Sequence, residues 1–303
     1  MIFIKEDALN RIKDWTDDSI YVLTDFDRTI TVGSSSSSWS ILSKSNMVPK
    51  EYVLERQSLY DYYRPYEIDE SLDYDTKNRL MTEWWNKHIG LFIKYKLSEE
   101  VINNAARNLR VMSFREGAKE FLKSMKDRNI PVIIISAGIG NFIEQFLIKN
   151  DCNYDNIFIV SNFIKFENGI AIGVSDNVIH SLNKNEVSLP NQIKELIKNR
   201  NNIILLGDSI SDIKMAKEES RDNALKIGFL EERIEENKPY FEEQFDIVCT
   251  NNTNYNQLSD KIRILKKYYI LNQSRTTYWS EVLFFLYKYY KIINSIISKT
   301  CRI

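Results

Sequence analysis

Two textures divide the chain. From about Phe114 onward, short β-branched runs alternate with helical stretches, the pattern of a parallel sheet covered on both faces. Pro131-Val-Ile-Ile-Ile-Ser136 is the clearest strand. A helix over Glu116–Arg128 precedes it, with Phe121, Leu122 and Met125 on one side, and Gly138-Ile-Gly140 opens a second helix through Phe142, Phe146 and Leu147. Further strands are expected at Ile157–Val160, Ile203–Leu206, Leu225–Ile227 and Phe245–Val248, and Asn168-Gly169 between two apolar runs marks a hairpin. Near the start, the apolar run from Tyr21 reads as one more strand.

Between Val32 and Met112 the pattern is long, aromatic and helical, with helices expected over Glu51–Tyr63, Tyr74–Lys94 and Ser98–Leu109. Strand signals lie on both sides, so this stretch reads as a helical lid inserted after the strand that begins at Tyr21. The expected organisation is an α/β core over 1–31 and 113–262, a helical cap over 32–112, and an amphipathic helical extension over 263–303. The run Ser34–Ser38, at the cap's entry, reads as a flexible connector because serine tracts have no preferred packing. In the tail, Trp279, Val282, Leu283, Leu286, Tyr290, Ile293 and Ile297 recur at helical spacing, while Glu281, Lys288 and Lys291 interrupt the apolar stripe too often for a spanning segment. Docking on the core or on another subunit is the expected role, so an oligomer through this helix is possible; a membrane surface is the alternative.

Charge changes the picture by exclusion. Among 303 residues, 41 are basic and 42 acidic, so no global field draws the chain to a nucleic acid polymer, and an anionic ligand must be held by local groups. Cys152, Cys249 and Cys301 are scattered and odd in number, which argues against a disulfide framework or a zinc cluster. The opening Met1-Ile-Phe-Ile-Lys-Glu-Asp7 lacks signal-peptide segments, and the cytoplasm is the expected compartment.

The candidate chemistry sits at strand ends. The run from Tyr21 stops at Asp25, with a second carboxylate at Asp27; on extended chain the two share a face and can converge on one centre. Taken alone, this pair reads equally as a solvated acidic turn. Ser136, followed by a glycine-containing loop, offers a hydroxyl and free N–H groups to a phosphate, or merely caps a helix. Gly207-Asp-Ser-Ile-Ser-Asp212 follows another apolar run; Asp25 and Asp208 from separate strands, a backbone carbonyl and waters make the oxygen sphere that Mg²⁺ prefers. Asp212 supports that sphere, caps the next helix, or both. Lys184 would balance these carboxylates and orient a transferred phosphoryl group.

The joint pattern, D-x-D-x-T through Thr29, then Ser136, Lys184 and G-D-S-x-x-D, resembles the haloacid dehalogenase superfamily of phosphohydrolases. The resemblance implies a Rossmann-like sheet with an inserted cap, Asp25 as nucleophile on phosphorus, Asp27 as general acid and base, and Thr29 in support. Longer stretches are similar to one branch, the cytosolic 5′-nucleotidase III or pyrimidine 5′-nucleotidase family: Tyr66-Glu-Ile-Asp69, Glu83-Trp-Trp-Asn-Lys87, Ile135-Ser-Ala-Gly-Ile-Gly140, Val160-Ser-Asn-Phe163, Ile179-His-Ser-Leu-Asn-Lys184, Ile203-Ile-Leu-Leu-Gly-Asp-Ser209 and Leu225-Lys-Ile-Gly228. They run in order from about Tyr21 to Val248. What they imply is a Mg²⁺-dependent phosphatase for nucleoside 5′-monophosphates, mainly pyrimidine ones. Asp25, the Asp27 carbonyl and Asp208 would hold the metal, and Ser136, Ala137 and Lys184 the phosphate. Glu67 matches a cap glutamate that contacts the base, suiting cytosine or a guanine edge; without the resemblance it reads as an exposed acid at a helix entry.

Departures from the family pattern cluster in and beside the cap. Arg28 replaces an apolar residue, the serine tract replaces a longer segment, and His88 occupies a position where the family can carry a serine near the substrate. His88 is thus a base-site or a packing residue. Of Trp84 and Trp85, at most one is expected to face the site. Two alternatives remain: the same machinery as a phosphatase or phosphotransferase for another small phosphate ester, or a non-catalytic phosphate-binding or signalling module, against which the intact Asp27 weighs. An aspartyl-phosphate ion pump is excluded by the lack of spanning segments.

Overall fold

A computed structural model describes residues 1–69, 71–107, 112–174, 178–184 and 189–263. Residues 1–258 form one compact unit; in the second, 259–303, only 259–263 are described, and they are helical. The tail helix and its oligomer role therefore lie outside the described residues, as does the end of the helix expected to reach Leu109.

Seven strands make the main sheet: β1 (Ile2–Ile4), β2 (Ile20–Thr24), β3 (Val132–Ile139), β4 (Ile157–Asn162), and, after a separate hairpin of β5 (Ile164–Glu167) and β6 (Ile170–Val174), β7 (Asn202–Gly207), β8 (Ala224–Leu230) and β9 (Ile247–Thr250). Their spatial order is β1-β9-β8-β7-β2-β3-β4, parallel throughout except for the edge strand β1, which runs antiparallel to β9. The β-branched runs predict this arrangement because a parallel sheet is buried on both faces and needs no polar alternation. Tyr21, Leu23, Ile133, Ile135, Ile203 and Leu205 pack on one side with Ile193 and Ile197 of α8 (Asn191–Ile197) and Phe241 of α9 (Ile234–Gln244), while Val22, Val132 and Ile134, one residue out of phase, are fully buried as well.

Register brings the strand ends together. Thr24 pairs with Leu206 on β7 and with Ile134 on β3, and the Asp25 N–H donates to the Leu206 carbonyl at 3.0 Å. The carboxyl ends of three adjacent strands thus meet at one edge, where ligands bind in open α/β sheets.

After α1 (Ala8–Arg11) near the start, the chain between β2 and β3 is helical: α2 (Ile41–Lys44), α3 (Lys50–Ile68), α4 (Tyr74–Lys94), α5 (Glu99–Arg107) and α6 (Ala118–Asp127), the last within the helix expected over Glu116–Arg128. Asp73 caps α4 by accepting from the Thr76 N–H at 2.9 Å. Helix α3 runs five residues past the expected end at Tyr63, through Pro65. An internal proline costs about 3 kcal/mol, and the burial of Tyr63 and Tyr66 against Met81, Trp84 and Trp85 of α4 offsets it. The extension matters because Glu67 lies on it.

Other differences have local causes. Strand β1 is too short to show a period, and β9 begins two residues later than expected because the Asp246 side chain accepts from the Lys226 N–H. Helix α9 holds Pro239, which disguises it. Glycine140, not Gly138, starts α7 (Gly140–Lys149), because β3 continues through Ile139.

Candidate active site

Asp25 leaves β2 almost fully buried, at 3% exposure, and Lys184 reaches it from the loop after β6 with Nζ 2.5 Å from Oδ1. Nothing in a polar loop aims a lysine by itself; side-chain amides do so here. Asn162, at the end of β4, accepts from the Ile179 N–H at 2.8 Å and donates to the Ile179 carbonyl at 2.8 Å, while Asn183 accepts from the His180 N–H at 2.7 Å and donates to the Val178 carbonyl at 2.8 Å. His180 Nδ1 accepts from the Leu182 N–H at 3.2 Å, so the ring hydrogen sits on Nε2, which meets Thr82 Oγ1 of α4 at 3.1 Å. Burial pushes the His180 pKa down to about 4, in keeping with a neutral ring.

The same ammonium lies 3.1 Å from Asp212 Oδ1, and Asp212 Oδ2 accepts from the N–H groups of Asp208 and Ser209 at 3.2 and 3.0 Å. Asp212 therefore both closes the turn, in a capping box with Ser209, and anchors Lys184. Burial pulls the Lys184 pKa down, but Asp212 and Asp25 outweigh it and the net shift is upward. Burial also raises Asp25, against Lys184 and with Asp212 and Asp27, to about 7. Asp208 is raised well above the ordinary carboxylate range, by burial first and by Asp25 and Asp212 next.

Three carboxylates facing one ammonium leave an excess of negative charge that a cation would neutralise. Asp25, Asp208 and Asp212 each place an oxygen within 4.8 Å of the others. The donors are all oxygen, which fits a hard divalent ion. Both Asp212 oxygens are already engaged, so Asp25 and Asp208 are the better placed ligands, with Asp212 behind them.

Asp27 is held by a residue absent from the sequence-based site. Ser38 donates its N–H to both carboxylate oxygens at 3.2 Å and its hydroxyl to Oδ2 at 3.1 Å. Burial raises the Asp27 pKa and these Ser38 bonds oppose the rise. Ser38 is fully buried, and its neighbours are tethered too: Ser35 exchanges hydrogen bonds with the Ser113 backbone, and Ser36 accepts from Lys44 Nζ at 2.6 Å. Consequently the serine tract is a fixed segment, and its reading as a flexible connector is corrected; hydroxyl donors and acceptors give it the packing that its composition hides.

Ser136 Oγ accepts from the Gly138 N–H at 3.0 Å, which leaves its own hydrogen for another acceptor. The Ala137 carbonyl receives three donors: Trp39 Nε1 and Trp85 Nε1, each at 2.8 Å, and Asn162 Nδ2 at 3.0 Å. Because a trans peptide points its C=O and N–H in opposite directions, these bonds turn the Gly138 N–H away from the two indoles and towards Ser136. Thr29 is buried in the turn after Asp27; its carbonyl accepts from Arg115 Nε at 3.2 Å, and its hydroxyl has no protein partner. Arg115, also buried, donates to the Arg28 carbonyl at 2.5 Å and pairs with Glu231, bracing that turn.

The residues of the helical segment between β2 and β3 divide. Glu67 pairs with Arg64 one turn earlier and keeps its side chain 17% exposed. His88 is buried between Trp39 and Trp84, with ring centroids 5.0 and 5.8 Å away, and its Nε2 has no partner. Burial, with Arg56 adding, pushes its pKa down to about 3, so it is a neutral aromatic member of the packing. Trp84 and Trp85 are both buried, and Trp85 donates its Nε1–H to the Ala137 carbonyl beside Ser136. Arg28 turns outward at φ 62° and pairs with Glu232 at 2.7 Å. Apolar runs broken by a polar residue revealed Asp25, Ser136 and Asp208, although Ser136 lies inside β3, where the register shifts between Ile135 and Ile139, and not at its end as expected; Ser38, Asn162, Asn183 and Arg115 carry no such local signal. No helix among the described residues is long and apolar enough to cross a membrane.

Comparison with known proteins agrees with this geometry. The 7-methylguanosine phosphate-specific 5′-nucleotidase of Homo sapiens is 35% identical over 239 residues, 76% of this chain and 79% of that one. Its Xenopus laevis counterpart, form A, is 33% identical over 252 residues, 80% and 86% respectively. The crystal structure of cytosolic 5′-nucleotidase IIIB bound to cytidine superposes with a TM-score of 0.77 at 28% identity, covering 89% of this chain and 95% of that one. A substrate-bound phosphoserine phosphatase, 19% identical with a TM-score of 0.52 over 81% of this chain and 97% of its own, shares the fold. A family model described as pyrimidine 5′-nucleotidase (UMPH-1) matches residues 23–267, and the chain belongs to that family, as a hydrolase of the haloacid dehalogenase fold.

Proposed function

We propose that the protein is a Mg²⁺-dependent phosphomonoesterase that hydrolyses nucleoside 5′-monophosphates through an aspartyl phosphate on Asp25. The carrying observation is the buried carboxylate of Asp25 at a central strand end, sharing the Lys184 ammonium with Asp212 beside Asp208. Asp25, Asp208 and the Asp27 carbonyl would hold Mg²⁺, which when bound offsets charge on the phosphoryl oxygens. An Asp25 oxygen forms a bond to phosphorus while the bond from phosphorus to the 5′-oxygen breaks, and that oxygen takes its proton from Asp27. As a carboxylate, Asp27 then removes a proton from water, whose oxygen attacks phosphorus, releasing phosphate and restoring Asp25. The Ser136 hydroxyl, the Ala137 amide and Lys184 hold the phosphate oxygens.

The helical segment 32–112 acts in this reading as the cap that selects the nucleoside. Cytosine and guanine both present amino hydrogens that Glu67 can accept. An N7-methylated guanine adds a delocalised positive charge, favoured by a carboxylate and by aromatic rings. Relatives named for 7-methylguanosine phosphate and a neighbour holding cytidine support both bases, so CMP and 7-methylguanosine 5′-monophosphate are the proposed substrates. Cytosolic residence is part of the same reading, since that neighbour is named cytosolic.

A panel of CMP, UMP, GMP, 7-methylguanosine 5′-monophosphate and sugar phosphates, assayed with Mg²⁺, tests the proposal. Hydrolysis of nucleotides that disappears in a folded Asp25→Asn variant is the expected result. Turnover confined to sugar phosphates would overturn the substrate, and turnover indifferent to Asp25→Asn would overturn the mechanism.

A further inference from the structure

We infer that Ser38 is a positioning residue for proton transfer, and that it selects Oδ1 of Asp27 as the oxygen that hands the proton to the leaving group; this rests on the reading of Asp27 as the proton donor. Ser38 opens a short 3-10 turn, Ser38–Ser40, between β2 and α2. Its Oγ accepts from the Ile139 N–H of β3 at 3.3 Å and lies 3.1 Å from Asp27 Oδ2. A serine hydroxyl has a single hydrogen. The lone pair facing Ile139 can only accept, so that hydrogen points at Oδ2.

Oδ2 therefore receives the Ser38 hydroxyl and a share of the Ser38 N–H, whereas Oδ1 receives only its share of the N–H. The better solvated oxygen is the worse place for a proton, and Oδ1 carries it. As the bond from phosphorus to the leaving oxygen breaks, the electron pair stays on that oxygen, the proton moves to it from Oδ1, and Asp27 is left as a carboxylate on which Ser38 still holds Oδ2.

Two features show a fitted contact. The adjacent Trp39 is pinned to the Ala137 carbonyl, so Ser38 cannot drift from β3. Glycine at 138 makes the approach possible, because a Cβ there would stand 2.1 Å from Ser38 Oγ.

The test compares a nucleoside monophosphate, whose alkoxide must be protonated, with p-nitrophenyl phosphate, whose phenolate leaves without a proton. For kcat/KM, which reports through the first phosphoryl transfer, Ser38→Ala should lose about tenfold on the nucleotide and stay within about twofold on the aryl ester. Ser38→Cys, nearly the same size with a much weaker donor, should show the same selective loss and serves if the alanine variant is unfolded by its thermal melt. Equal losses on both esters would mark Ser38 as a loop anchor and overturn the inference, as would wild-type behaviour on both. A wild-type protein with no activity on any nucleotide would overturn the parent reading and this one with it, a result distinct from either pattern.

Discussion

Lys184 Nζ sits 2.5 Å from Asp25 Oδ1, so the ammonium rests on the carboxylate assigned to attack phosphorus. Asp212 shares it from behind, and all three groups are buried. Removing one partner of such a cluster leaves uncompensated charge. Lys184→Met should therefore lower unfolding stability by about 3–5 kcal/mol and reduce kcat by on the order of 100-fold. Denaturant melts and steady-state kinetics read both, and an unchanged melt would show that the carboxylates hold their protons instead.

Mg²⁺ should stabilise the folded protein, because only the folded chain brings Asp25 and Asp208 together. At a hundredfold excess over its Kd the gain is about 2.7 kcal/mol. Differential scanning calorimetry with Mg²⁺ and then with chelator measures it. Asp208→Asn should abolish the shift; a shift that survived would place the ion elsewhere.

Two glycines make opposite predictions. At Gly207 a Cβ would stand 2.5 Å from the Asp212 Cβ, so Gly207→Ala pushes Asp212 off Lys184 and should cost about 1–3 kcal/mol along with most of the activity. Gly90 lies inside α4 with nothing within 4 Å of a Cβ. There alanine should stabilise by about 0.5–1 kcal/mol and leave turnover alone. Thermal melts of the two variants would refute the packing argument if their signs agreed.

Glu67→Ala should raise KM for nucleotides and leave p-nitrophenyl phosphate unaffected, because it removes contacts remote from phosphorus. Equal effects on both esters would mean that the Arg64–Glu67 pair serves only α3.

His88 sets a pH dependence. Its folded pKa of about 3 lies below the ordinary 6.5, so as pH falls from 6.5 the unfolded chain takes up a proton that the folded one refuses. Stability from this group is thus complete above 6.5 and is lost on acidification, by about 1.4 kcal/mol per pH unit down to the folded pKa. His88→Phe removes the effect. The variant should match wild type at pH 7 and overtake it steadily below pH 6, in urea melts run at several pH values; parallel curves would mean that His88 is protonated in the fold.

The sheet was legible because parallel strands buried on both faces must be apolar throughout, and Asp25, Ser136 and Asp208 stood out where such runs stop. Lys184 was legible by resemblance, not by periodicity, since side-chain amides at Asn162 and Asn183 aim it. Ser38 was hidden for a different reason. Its composition is that of a linker, and its meaning lies in partners 11 and 101 residues away, Asp27 and Ile139. The end of α3 was misread because Pro65 is a local veto that nonlocal burial of Tyr63 and Tyr66 overrides.

In the proposed reading of 32–112 as a base-selecting cap, the Ala137 carbonyl, gripped by the indoles of Trp39 and Trp85, ties substrate choice to chemical competence. Anyone reshaping the cap for a new base would reach first for these aromatic rings, and each exchange for Phe or Leu would release the peptide that aims the Gly138 amide. Retargeting is therefore constrained to side chains that keep an N–H at the same spot.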